Sequence, residues 1–202
     1  MPTICGVLTS YEFNCDFPES GGASDEMMLI PHSIIDRAQG VDGFALNVQN
    51  PTIIEDIFIK AGSQAVTMRG KRNPNSIMAT PVVEGSATGF NHSAVFPAYE
   101  MSPDMAQRLK FLQNEKVLVI LKTNQRNSTG NNLYKVAGRQ VGMYLSEGEY
   151  NSAENNGVTN VTLSTPDELM ESNAMEFFFI TDIPTTNAAY ESLKDIAVAP
   201  PA

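Results

Sequence analysis

Between Ser102 and Lys122 the hydrophobic period changes once, abruptly, and that junction constrains the fold more than any other stretch. Ser102 suits an N-cap, because its hydroxyl can accept an orphan amide proton of a first helical turn. Pro103 fits the first helical position, and Asp104 complements the positive end of the helix dipole. Met105, Leu109 and Leu112 then recur at i, i+4 and i+7, one apolar stripe that ends near Asn114. Directly afterwards Val117, Leu118, Val119, Ile120 and Leu121 run consecutively between Lys116 and Lys122. Successive strand side chains point to opposite faces, so this strand must be covered on both.

The flanking sequence is β-rich. Residues 17–24 form a loop by composition, since Pro18, Gly21 and Gly22 interrupt both regular structures. A first strand is expected at residues 27–30 (MMLI), ended by Pro31, then a single helical turn at 33–38 and alternation at 43–48. Residues 52–60 fit two periods: Ile53, Ile54, Ile57 and Phe58 make a helical stripe, while the β-branched content favours a strand. Asn50-Pro51 before it and Ala61-Gly62 after it decide for strand, and residues 64–68 read as another. Residues 69–90 are rich in Gly, Pro, Ser and Asn with few paired apolar positions, which suggests a long exposed hairpin or arm. Strand returns at 92–99.

The C-terminal third reads as antiparallel β. Residues 133–145 alternate around Gly138 and Gly142, which suggests a bulge or a close backbone approach. Residues 146–157 are a polar loop, Val158, Val161 and Leu163 mark a strand, and Thr165-Pro166 opens a turn or short helix. Residues 176–181 (EFFFIT) are the last strong strand. Its Phe177, Phe178 and Phe179 must face both ways, so it lies either between a core and a neighbouring subunit or centrally in one domain. A closing helix is expected at 187–195. The chain reads as one mainly β domain over 1–202, with an N-terminal extension at about 1–26, the arm at about 69–90 and a tail at about 196–202.

Composition excludes several functions. A protein that grips nucleic acid needs Lys and Arg to displace counterions from phosphates. Here 13 basic residues face 23 acidic ones, a net charge of −10, so tight or sequence-reading DNA binding is not expected, and the charge is compatible with a surface that nucleic acid passes without sticking. Charged residues are only 18% of the chain, below the usual share of about 25%, as suits a surface partly covered by neighbours. The first 15 residues lack a basic region followed by a long apolar run, and no segment approaches the ~20 apolar residues of a membrane span. A soluble protein made in a cytoplasm is expected, with no membrane partner. Cys5 and Cys15 could bridge if their backbones approached, but are expected as reduced, buried thiols.

Chemistry is sparse. His32 and His92 are the only histidines, and no G-x-S-x-G turn presents a nucleophile. Both are expected as hydrogen-bonded structural residues; a small hydrolase or ligand-binding domain would rest only on His92 beside Ser93. Cys, His, Asp and Glu lack metal-ligand spacing, and Gly70-Lys71 lacks the upstream glycine of a phosphate loop. No enzyme activity and no cofactor are expected. The run Arg69-Gly70-Lys71-Arg72 is the strongest local charge feature, and in an acidic chain it is expected to pair with acidic groups of another subunit.

In order along the chain, several stretches resemble tail-tube-like virion proteins of phages infecting Bacteroidetes-type bacteria. They are Leu8, Cys15 and Gly21-Gly22 before the strand 27–30; Gly89-Phe90-Asn91-His92; the helix from Pro103 running into VLVILK (117–122); YKVAGRQVGMYL (134–145); Asn155-Asn156-Gly157; VTLSTP (161–166); and FFFITD (177–182). The resemblance covers most of the chain. It implies a β-sandwich or barrel with one flanking α-helix and extended arms. It also implies self-association into rings, commonly hexameric, that stack into a DNA-conducting tail tube and meet other tail or connector proteins. The place implied is the virion tail, assembled in the host cytoplasm. Contacts between subunits would come from the arm and the polar loop, through Arg69, Lys71, Arg72, Glu147, Glu149 and Tyr150. The long N-terminus leaves room for a head–tail connector, a collar ring or a capsid-associated protein on a similar domain.

Overall fold

The computed structural model describes residues 22–70, 75–84, 87–99, 101–125, 127–148 and 158–197. Within them the order is β1 (Ala23–Pro31), a 3-10 turn (His32–Ile34), β2 (Phe44–Leu46), β3 (Ile53–Ile57), β4 (Val66–Arg69), β5 (Ser76–Glu84), β6 (Ala87–Ala98) and α1 (Pro103–Asn114). There follow β7 (Val117–Thr123), β8 (Tyr134–Ala137), β9 (Tyr144–Glu147), β10 (Thr159–Ser164), β11 (Glu176–Phe178) and α2 (Ile183–Ser192). Among the described residues the strands form a seven-stranded sheet, β2-β3-β11-β8-β7-β1-β4, and a four-stranded sheet, β5-β6-β10-β9. The architecture is mainly β and sandwich-like.

The apolar run after α1 becomes the strand that both halves of the core share. Residues 117–121 are each 0% exposed. Val117, Val119 and Leu121 join Met27 and Leu29 of β1 in a cluster closed by Phe96 of β6, Leu163 of β10 and Leu112 of α1. Leu118 and Ile120 join Met28 and Ile30 in a second cluster, with Phe44, Ile54, Phe178 and, from the α2 side, Tyr190 and Leu193. The large sheet is thus a middle layer, with the small sheet and α1 on one face and α2 on the other. Burying each Leu or Ile side chain contributes about 1.5–3 kcal/mol, which is why so apolar a strand sits here and not at an edge.

The expected helix forms as its cap dictates: the Ser102 side chain accepts from the Met105 N–H at 3.2 Å. Met105 and Leu109 pack against the first cluster beside buried Leu112. Ser102→Ala should therefore lower the unfolding free energy by about 1 kcal/mol and the thermal midpoint by about 2–4 °C, read by circular dichroism melting.

Several expectations are corrected. Residues 133–145 are two strands in different sheets, β8 and β9. The corner between them holds Gly138 at φ +74° and Gly142 at φ +82°, a left-handed backbone that only glycine adopts at little cost. Alternation persists through the corner because Met143 stays in the core and pairs with Val117, N–H to carbonyl at 2.9 Å both ways. The C-terminal third is not wholly antiparallel: β11 runs parallel to β3, with Phe177 opposite Ile53 and Phe178 opposite Ile54, and antiparallel to β8. Of the two positions considered for the phenylalanine strand, the central one is seen. The strand ends at Phe178, and α2 starts at Ile183, before the expected 187, because the Asp182 carboxylate caps it by accepting the Thr185 N–H at 2.7 Å. The closing helix expected at 187–195 is α2. β1 begins at Ala23, before the strand expected at 27–30. The helical turn expected at 33–38 is the 3-10 turn His32–Ile34.

Candidate functional site

The arm is a long hairpin. β5 and β6 pair in unbroken register from Ser76 opposite Val95 to Glu84 opposite Ala87. At its base Ile77, opposite Ala94, packs against the first core cluster. Val83, near the tip, is 71% exposed, and Met78, beside Ile77 but placed on the opposite face by alternation, is 51% exposed. Pro81 lies between them in β5, an edge strand, where its missing N–H costs no ladder bond on the open side. The middle of the hairpin is braced by residues 170–171. Phe90 and Glu171 exchange backbone bonds at 2.9 Å, and a Cβ on Gly89 would lie 2.5 Å from the Met170 Cβ.

A second apolar surface lies at an edge of the other sheet. β4 is an edge of the large sheet, and beside it α1 leaves a groove of about 580 Å³. Leu29, Pro31, Val66, Met68 and Phe111 line it, with Asp104 and Arg108 also at its walls. Phe111 is 48% exposed there.

The charged candidates divide. Arg69, expected at a contact with another subunit, donates to Glu26 Oε2 at 2.5 Å within the chain, because β1 and β4 pair with Glu26 opposite Arg69, and its side chain stays 70% exposed. Lys194 also grips that carboxylate. Burial pushes the Glu26 pKa up, yet the bonds from Lys194 and Arg69 outweigh it and hold the group below its usual range. Glu147 is exposed at the end of β9, opposite Thr162. Lys71, Arg72, Glu149 and Tyr150 lie outside the described residues, as do Cys5 and Cys15. The hydrolase reading loses its geometry: His92 and Ser93 are consecutive in β6, so their side chains leave on opposite faces.

What sequence reasoning missed is a polar network around the glycine corner. Arg139 makes a two-pronged pair with Glu176, Nε and Nη2 donating at 2.6 and 2.8 Å, and Asn173 Nδ2 donates to the same carboxylate at 2.8 Å. The buried Glu171 carboxylate accepts the backbone N–H groups of Gln140 and Val141, the closest at 2.9 Å. His32 and His92 both bond the backbone of Gly138. The two glycines were the only local signal, and they mark the bend without naming what holds it. Among the described residues no group of three or more His, Cys, Asp or Glu is placed to hold a metal.

No protein-family model, curated protein or solved structure matches this chain. Its functional reading therefore rests on the surfaces just described: two apolar ones that the described part of the chain leaves uncovered, and a corner whose polar groups have each other as partners.

Proposed function

We propose that the chain is a structural subunit that binds copies of itself, forming rings that stack into the DNA-conducting tube of a phage tail. The observation that carries this reading is the β5–β6 hairpin, which leaves Val83 near its tip and Met78 near its base exposed on opposite faces. A two-stranded hairpin is marginal in water on its own, and apolar residues at its tip gain most when another surface covers them. The open edge at β4 and the groove beside α1 offer a different surface of the same molecule. A contact between two different patches is head-to-tail, and a ring closes when the rotation allows. The net charge of −10 supports a role in which DNA passes without adhering. The reading needs no catalytic step and no cofactor.

Negative-stain images and sedimentation of the concentrated protein should show rings or tubes. Val83→Asp should weaken the association about 30-fold, the equivalent of a ~2 kcal/mol hot spot, while far-UV circular dichroism stays unchanged. A protein that stays single-chained at every concentration, or assembly indifferent to Val83→Asp, would overturn the proposal.

A further inference from the structure

One face of the β5–β6 hairpin stays apolar beyond the core. The register is unbroken from Ser76 to Glu84, so Ile77, Ala79, Pro81 and Val83 all point to the same side. Ile77 packs against the first core cluster, whereas Pro81 and Val83 are exposed. Across the ladder Pro81 lies opposite Phe90, which is half-buried. Between Ile77 and Ser93 there is no lysine or arginine, and Glu84 is the one acidic residue. The tip therefore offers an apolar row followed by a negative charge.

The groove between α1 and β4 has the matching features. Its floor includes Leu29, Leu112 and Val117, and its rim leaves Phe111 48% and Val66 36% exposed. Arg108 stands at its wall and has no salt bridge among the described residues. Asp104, one turn earlier, lies in the first turn of α1, where the helix dipole offsets its charge. Among the described residues none that lines the groove comes from the hairpin, so the chain does not fill it with its own tip.

We propose that the hairpin tip of one copy seats Pro81 and Val83 in the α1–β4 groove of the next copy, with Glu84 beside Arg108. This inference rests on the self-assembling reading and names the two patches that meet. Pro81 selects the manner of contact. Phe90 exchanges its backbone bonds with Glu171, so Pro81, its partner across the ladder, turns its own backbone toward the open edge of β5. A strand added along that edge would miss a bond at Pro81, which lacks an N–H. Insertion of side chains from the apolar face meets no such gap. The two patches differ, so the contact is head-to-tail and repeats from copy to copy.

Cysteine cross-linking in the full chain tests the contact, with Cys5→Ser and Cys15→Ser removing the native thiols. One batch carries Val83→Cys, and a second, isotopically labelled, carries Phe111→Cys. Oxidised together where sedimentation shows assembly, they should form mixed disulfide dimers in clear excess over like-with-like dimers. Assembly without that excess would overturn this contact and leave self-association standing, whereas no assembly at all would remove both. Should the serine background fail to fold, charge reversal in the native chain supplies the check. Arg108→Glu should weaken self-association about fivefold, the effect of an exposed ion pair, and adding Glu84→Arg should restore it. Absence of either the weakening or the restoration would equally refute the contact.

Discussion

Arg139→Met should destabilise the protein by about 3–5 kcal/mol, the usual cost of stranding one partner of a buried ion pair. The side chains of Arg139 and Glu176 are only 10% and 3% exposed, so methionine would leave the Glu176 carboxylate out of water with no counter-charge. Asn173 would still donate at 2.8 Å, but a neutral amide cannot replace a guanidinium. The guanidinium also lies 5.6 Å from the centre of the Phe44 ring, a contact that tightens the pair against the second core cluster. Urea unfolding should show a lower midpoint with an unchanged slope. Removing both charges, as Arg139→Met with Glu176→Met, should recover most of the loss, because a desolvated pair contributes little net stability against an apolar pair of similar size. A single variant within about 1 kcal/mol of the native protein would mean that water reaches the pair.

Ile120→Ala should cost about 2–5 kcal/mol by the same measurement. Ile120 is wholly buried in β7, opposite Met28 on one side and Val136 on the other, with the second cluster over its side chain. A strand hydrogen-bonded along both edges cannot shift to fill the space that alanine leaves, so most of the cavity should persist. Leu109→Ala gives the contrast. That side chain is only partly buried on α1, and its truncation should fall well below the Ile120 loss. Equal losses at the two positions would contradict the layered core.

The parts of this fold that could be read in advance are those whose causes are local. The cap at Ser102, the stripe of Met105, Leu109 and Leu112, and the unbroken apolar strand each depend on residues within two turns or one strand, and each formed where expected. The arm was visible because Pro81 and its neighbours lack a paired apolar pattern. The corner was half visible: Gly138 and Gly142 announced an unusual backbone, but the imidazole that holds Gly138 comes from 106 residues away. No periodicity encodes such a distance. The parallel pairing of β11 with β3 was hidden for the same reason, since a short apolar strand looks alike whichever neighbour it finds. Arg69 shows how register decides what charge cannot. The basic run was plain, yet only the alignment of β1 with β4 reveals that Arg69 pairs with Glu26.

The place of β11 in the large sheet has a consequence for biosynthesis. It is the last strand made among the described residues, yet it lies between β3 and β8, so it alone ties the β2–β3 ribbon to the other four strands. While a ribosome is still short of Glu176, the earlier strands can collapse but the middle layer stays split along that seam. The middle layer is thereby completed only after Glu176–Phe178 has emerged, later than every other described strand.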